Sequence, residues 1–239
     1  MPVPIVIDLS HWNTISSSLK PAAESGIVGV IHKATEGASN VDKKVDARYA
    51  LAKQAGLLWG LYHFLRPGDQ RAHARHFISI ASQFGDDQTL LAADHEDAKV
   101  SLSDLKVFLR EVEALSGRYP VIYSGHVLKD QLKGKEDPEI ASYRLWLAQY
   151  SSQPVLPPGF DAYWIWQYTD KGEVAGVNPP TDLNAGDAAD VRARWSGSGV
   201  SRPGPAPSPE PEEEKTVTVA ITAPDNVLVE VIVNGELVS

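Results

Sequence analysis

Residues 89–96 read TLLAADHE. The run is apolar and suited to a strand, and it closes on two acids, Asp94 and Glu96, with His95 between them. Residues 101–117, SLSDLKVFLREVEALSG, follow as the clearest helix in the chain. Leu102, Leu105, Leu109, Val112 and Leu115 recur at helical spacing, Ser101 with Asp104 resembles a capping box, and Gly117 marks the stop. Downstream, PVIYS (120–124), YRLWLAQY (143–150) and AYWIWQYT (162–169) scan as strands. Upstream, VPIVID (3–8), GIVGVIHKA (26–34) and LLWGLYHF (57–64) do the same. Helical stretches separate these upstream runs: Val41, Val45, Tyr49 and Ala52 share a spacing that ends near Gly56, and DQRAHARHFISIAS follows the third run. Strand and helix alternating at about 30-residue intervals predict an α/β fold with a parallel sheet. The later strands lack long helices between them, so the pattern predicts a compact, irregular barrel and not a regular eightfold one.

Chemistry in parallel α/β barrels gathers where strands end. Asp8 ends the first strand, Glu36 lies past the second, Tyr62 and His63 near the end of the third, Asp94 and Glu96 at the fourth, and Asp182 after the last aromatic strand. Five carboxylates are therefore expected on one rim. Strand side chains alternate, so Asp94 and Glu96 share a face and His95 points away. Two acids so placed perturb each other: one holds its proton near neutral pH and the other stays ionised. A glycosidase needs that arrangement. Solvated surface acids are the plain alternative for the pair taken alone.

The histidines His11, His32, His63 and His95 raise a rival, a metal-dependent hydrolase, but no HxH or HExxH spacing occurs. Among the aromatics near strand ends (Trp12, Tyr62, Phe64, Tyr123, Trp146, Trp164, Trp166), core packing competes with a role as a stacking platform for sugars. Alternation puts Trp164 and Trp166 on one face, and Tyr62 and Trp166 are the preferred platforms.

The chain has 239 residues, 43% hydrophobic and 22% charged, enough for a sizeable core and inconsistent with wholesale disorder. Cysteine is absent, which excludes disulfides, zinc–thiolate sites and cysteine nucleophiles. No run of 18 apolar residues occurs, so no membrane insertion is expected. The N-terminus lacks a basic segment followed by a long apolar stretch, so no signal peptide is expected. Net charge is −9. Residues 203–239 hold seven acids against Lys215 alone, and no basic stripe appears, so nucleic acid is not an expected partner. Residues 196–215, SGSGVSRPGPAPSPEPEEEK, read as a linker between a catalytic block at 1–195 and a small β module at 216–239. In that module TVTVAIT (216–222) and VLVEVIV (227–233) flank a PDN turn as a β-hairpin, with NGE (234–236) as a further turn. Its strands are apolar on both faces, so self-association into a homo-oligomer is the favoured role and docking on the barrel or wall binding the alternatives.

Taken in order, DLSHWN (8–13), HKATEG (32–37), GLYHF (60–64), Asp94 and Glu96, PVIYS (120–124), LWLAQY (145–150), IWQYT (165–169) and TDLN (181–184) resemble glycoside hydrolase family 25, the Chalaropsis-type lysozymes common in phage endolysins. The resemblance covers about residues 3–195. It implies a flattened (β/α)5(β)3 TIM-like barrel, to which the small C-terminal β-hairpin module read at 216–239 is appended. It implies hydrolysis of the β-1,4 bond between N-acetylmuramic acid and N-acetylglucosamine, with peptidoglycan glycan strands as partner and neither cofactor nor metal. Glu96 falls on the family's general acid, and Asp8, Asp94 and Asp182 on its other active-site aspartates. Lys33, Glu36, Tyr62, Tyr123 and Trp166 fall where substrate-binding residues are expected. His95 and Thr181 depart from the usual small or aliphatic residue and valine. The implied route has Glu96 protonate the glycosidic oxygen while Asp94 holds a 2-acetamido group that attacks C1; direct attack by water is the alternative. With no signal peptide, an endolysin would stay in the host cytoplasm until released to the cell wall. A non-catalytic cell-wall glycan-binding barrel is the rival from another class.

Overall fold

The computed structural model describes residues 2–198, 231–233 and 236–238. The chain divides into two units, residues 1–205 and 206–239.

The strands of the first unit are β1 (Val6–Leu9), β2 (Gly29–Glu36), β3 (Asn40–Val41), β4 (Leu58–Phe64), β5 (Leu90–Asp94), β6 (Val121–Ser124), β7 (Arg144–Ala148), β8 (Ile165–Val174) and β9 (Val177–Gly186). From β1 through β2, β4, β5, β6 and β7 to β8, each neighbour is parallel. β9 folds back antiparallel on β8 and then pairs antiparallel with β1, which closes the sheet into a barrel. The short β3 is a hairpin partner of the end of β2.

The helices are α1 (Lys20–Glu24), α2 (Val45–Gln54), α3 (Gln70–Ala81), α4 (Leu102–Ser116), α5 (His126–Leu132), α6 (Pro138–Ala141) and α7 (Ala188–Arg194). They shorten after α4, and none lies between β7 and β8 or between β8 and β9. The expected irregularity of the second half is therefore present. The Asp69 carboxylate caps α3 by accepting the Arg71 and Ala72 N–H groups at 3.0 and 3.2 Å. The capping box at Ser101 and Asp104 opens α4, and Gly117, at φ +67°, ends it in the left-handed region that glycine tolerates. Two details of the helical reading are corrected. Val41 lies in β3, 44% exposed, and α2 begins only at Val45. Leu115 is 45% exposed; α4 buries Leu105, Phe108, Leu109 and Val112, so its buried face includes Phe108 and ends at Val112.

Alternation along the strands makes two apolar layers. Val6, Ile31, Leu90, Ala92, Val121, Trp146 and Ile165 fill the barrel, with Trp195 across its base. There the Trp195 ring lies so close to β2 that a Cβ on Gly29 would meet it at 2.7 Å. Ile7, Val30, Leu61, Leu91, Ile122 and Leu145 pack outward with Phe77, Leu105 and Phe108 of the helices. Among the described residues, no helix is long and apolar enough to cross a membrane.

In the second unit, β10 (Val231–Val233) pairs antiparallel with β11 (Glu236–Val238), Val231 opposite Val238. Glu236, expected in the NGE turn, lies instead in β11; residues 234 and 235 lie outside the described residues. The expected strand at 216–222, the PDN turn and the linker from residue 199 lie outside the described residues, as does any evidence on self-association.

Candidate active site

The barrel interior is apolar at its base and acidic at the carboxyl ends of the parallel strands. Asp8 stands near the end of β1, directly paired with Asp182 on β9. Asp94 ends β5, between Phe64 of β4 and Tyr123 of β6. β5 proper stops at Asp94, but backbone contact continues: the His95 N–H donates to the Tyr123 carbonyl at 2.9 Å, and the Ser124 hydroxyl donates to the His95 carbonyl at 2.7 Å. Those bonds hold the chain extended for two more residues, which keeps Glu96 on the face of Asp94. His95 is buried on the opposite side, its Nε2 2.9 Å from the Val100 carbonyl. The alternation predicted from TLLAADHE is thus present.

Asp8, Asp94, Glu96 and Asp182 line one cavity of about 180 Å³, walled by Tyr62, Tyr123, Trp146, Tyr150 and Gln167. A second cavity, of about 410 Å³, shares Glu96 and Tyr150 with it and extends along Gly125 and His126. Asp94 is 4% exposed, whereas Glu96 is exposed at the mouth.

A hydrogen-bond web fixes the floor. The Tyr123 and Tyr150 hydroxyls each donate to Gln167 Oε1 at 2.8 Å. That orients the Gln167 amide so that its Nε2 donates to Asp8 Oδ2 at 2.9 Å. Trp146 Nε1 donates to Asn184 Oδ1 at 2.6 Å, and Asn184 Nδ2 donates to the same Asp8 oxygen at 2.8 Å. The two amides favour an anionic Asp8, yet burial and the neighbouring Asp182 outweigh them and push its carboxyl well above the usual range. Burial, then Glu96, push Asp94 well up as well, with Lys33 opposing. Burial also raises Glu96, less strongly, because its hydrogen bond with Asp94, His126 and Lys33 all act the other way. Asp182 is pushed up to about 6 by burial, Asp170 and Glu96. Four acids in one small cavity do not all ionise near neutrality. Burial and mutual repulsion both favour a protonated carboxyl in the Asp94–Glu96 pair, whose exposed member is Glu96.

Tyr62 and Tyr123 wall the cavity as expected, Tyr62 edge-on to Trp146 at 6.5 Å. Lys33 and Glu36 do not line it. They line a neighbouring hollow of about 270 Å³ with His11 and Asp42. Glu36 is ion-paired with Lys33 and with Arg66 (2.8 Å), which overcome its burial and hold its pKa low. A register shift between Lys33 and Thr35 pairs Thr35 with His63 and Glu36 with Phe64, and at the end of β2 the Glu36 carboxylate is engaged by Arg66 and Lys33. Four carboxyls, not five, converge. Lys33 still acts on the acids by its charge.

Trp166 is a correction. It faces outward into the helix-side layer, 4% exposed, with Nε1 donating to the Gln149 carbonyl at 2.7 Å. Trp164 does not share its face; it joins the inner layer beside Trp195, with the Arg144 guanidinium over its ring. β8 begins at Ile165, so Trp164 precedes the regular alternation, and the inward residues of this strand are Ile165 and Gln167.

Trp146, weighed in the sequence only as one of several aromatics between core and platform, lines the cavity, while Tyr150, Gln167 and Asn184 have no site role in the sequence reading. The signal was present for two of them: Asn184 lies two residues beyond Asp182, and Gln167 two beyond the inward Ile165.

The histidines are dispersed. The His11 Nδ1 bonds Asp42 (2.9 Å), His32 its neighbour's carbonyl (2.7 Å) and His63 the Thr35 hydroxyl (2.7 Å), with His63 stacked on Phe108. Burial lowers His32 to about 4 and holds His63 well below the usual imidazole range. Among the described residues, no three His, Asp or Glu side chains are grouped so as to hold a metal ion.

Acids that hold protons inside an aromatic-walled cleft, at the carboxyl mouth of a barrel, define a site of the glycoside hydrolase class. Comparison narrows the class. The chain belongs to glycosyl hydrolases family 25, whose profile matches residues 7–177. It is 32% identical over 158 residues to YegX of Escherichia coli strain K12, covering 64% of this chain and 56% of that protein. It is 30% identical over 191 residues to an N,O-diacetylmuramidase of a Chalaropsis species, covering 72% of this chain and 90% of that protein. The structure of a bacterial lysozyme from Streptomyces coelicolor superposes with a TM-score of 0.68 at 28% identity, over 80% of this chain and 96% of that one. The chain therefore spans little more than half the length of YegX but nearly all of the other two.

Proposed function

We propose that this chain is an N-acetylmuramidase, a lysozyme of the endolysin kind, which cleaves the β-1,4 bond between N-acetylmuramic acid and N-acetylglucosamine in peptidoglycan. The observation that carries this reading is the paired placement of Asp94 and Glu96: one buried, one at the mouth, with Asp8 and Asp182 in the same cavity. Family membership and the similarity to an N,O-diacetylmuramidase support it. We read the barrel as the flattened (β/α)5(β)3 form and divide the chain into a catalytic part at 1–195, a linker at 196–215 and a β module at 216–239. The enzyme's place of action is the wall, reached from the cell that makes it.

In this mechanism the bound glycan covers Glu96, removes its remaining solvent and draws the pair's proton onto it. Glu96 gives that proton to the glycosidic oxygen as the C1–O bond breaks. Asp94, then ionised, accepts the N–H of the muramic 2-acetamido group, whose carbonyl oxygen attacks C1 to form an oxazoline; such assistance is a known variant of glycoside hydrolysis. Water then attacks C1 and Glu96 takes its proton. Asp8 and Asp182 repel negative charge on the pair and so keep the proton in place. Tyr62 and Tyr123 shape the wall of the cavity, and Lys33 offsets part of its negative charge.

The test is digestion of purified peptidoglycan, borohydride reduction and mass spectrometry of the fragments. Reduced N-acetylmuramic acid at the new ends is the expected product. Reduced N-acetylglucosamine, or binding without new ends, overturns the proposal.

A further inference from the structure

The larger cavity that shares Glu96 and Tyr150 with the four-carboxyl site contains a cation whose role is not yet accounted for. Lys129, on α5, lines it together with His126 and Gln149. Its ammonium is half-buried, and its hydrogen bond goes to a neutral acceptor, Gln149 Oε1. The Gln149 amide is held in that orientation: its Nε2 donates to Ser151 Oγ at 2.9 Å and to the Gln153 carbonyl at 3.1 Å, while Oε1 also accepts the Val155 N–H at 3.2 Å. Burial lowers the pKa of Lys129, and among the described residues no carboxylate offsets it. Two other partly buried lysines pair with carboxylates: Lys33 with Glu36, and Lys106 with Asp137 at 2.6 Å. An ammonium carries three N–H donors. Gln149 occupies one, and the cavity of about 410 Å³ lies open to the rest. A partly desolvated cation without a counter-ion is costly unless a ligand provides the anion.

We propose that Lys129 is a specificity residue that binds a carboxylate carried by the glycan strand, on the lactyl-peptide substituent of a muramic residue lying beside Glu96. The inference rests on the muramidase reading above. On a peptide-bearing residue the lactyl carboxyl is tied up as the amide to the stem peptide, so the carboxylate offered is the peptide's; the lactyl carboxylate is free only where the peptide is absent, and the chemistry recognised is the same.

The experiment compares wild type, Lys129→Gln and Lys129→Arg on three substrates: native peptidoglycan, glycan strands stripped of stem peptides by an amidase, and peptidoglycan whose carboxyls are capped as amides with carbodiimide. Losing one charge-assisted hydrogen bond should raise the KM of Lys129→Gln about tenfold on native substrate, with kcat little changed. Lys129→Arg should retain most of the affinity. Wild type should show the same KM increase when the carboxyls are capped, and there Lys129→Gln should match it. Stripping frees the lactyl carboxylate that the amide link hides, so discrimination kept on stripped strands shows that the lysine accepts the lactyl carboxylate of peptide-free residues, and discrimination lost on them assigns the stem-peptide carboxylate. Equal KM for wild type and Lys129→Gln on native substrate, or an equal loss on native and capped substrate, overturns the proposal. So does a wild type indifferent to capping, a result that needs no variant to fold. If wild type makes no new reducing ends from peptidoglycan, the muramidase reading itself fails, and the two failures are distinct.

Discussion

Asp182 offers a quantitative test, because its environment harms folding while serving the site. Its carboxyl sits at about 6 in the folded chain against an ordinary value of 3.8, through burial first and then the charges of Asp170 and Glu96. Below 3.8 the group is protonated in both the folded and unfolded chain and costs nothing. Between 3.8 and about 6 the unfolded chain gives up its proton first, so stability falls as pH rises. Above that window the full cost persists. The gap corresponds to at most about 3 kcal/mol at roughly 1.4 kcal/mol per pH unit. Asp182 is only partly buried, and screening at the cleft reduces the expected figure to about 1–2 kcal/mol. Asp182→Asn keeps the shape and removes the charge. It should therefore raise the melting temperature by about 2–8 °C at pH 8 and leave it unchanged at pH 3, while lowering activity. Differential scanning calorimetry at the two pH values reads this directly. An Asp182→Asn protein no more stable than wild type at pH 8, or equally stabilised at both pH values, would refute the reasoning about the acidic cavity.

Two other outcomes follow from the geometry. The first-formed anomer, followed by NMR within the first turnovers, should be β, as acetamido assistance requires; an initial α product excludes that route. Trp166→Phe should leave the KM for peptidoglycan within about twofold of wild type, because the indole faces the helix layer and not the cleft; a large KM increase would mean that the outward assignment is wrong.

How much of this was legible in the sequence depended on how regular each strand is. β5 is buried throughout and its pairing runs on through His95, so alternation placed Asp94 and Glu96 correctly. α4 declared itself through its capping box and terminal glycine. Alternation failed where it was broken. The register shift in β2 changed which residues share a face beyond Lys33, and the late start of β8 separated Trp164 from Trp166. β9 was not anticipated as a strand, because Pro179 and Pro180 lie inside it and proline removes a ladder donor. Its pairing with β1 nevertheless closes the barrel and brings Asp182 beside Asp8. The amides of Gln167 and Asn184 orient Asp8 through contacts 159 and 176 residues away in sequence, which no local pattern reveals.

The central claim is that Glu96 delivers the proton, and Glu96→Gln tests it most directly. The amide keeps the size and hydrogen bonding of the side chain but has no proton to give. The account predicts a folded protein with a melting temperature at or above that of wild type and a kcat on purified peptidoglycan reduced about 10²–10⁴-fold. A folded Glu96→Gln enzyme that keeps more than about a tenth of wild-type turnover, well outside that range, would contradict it.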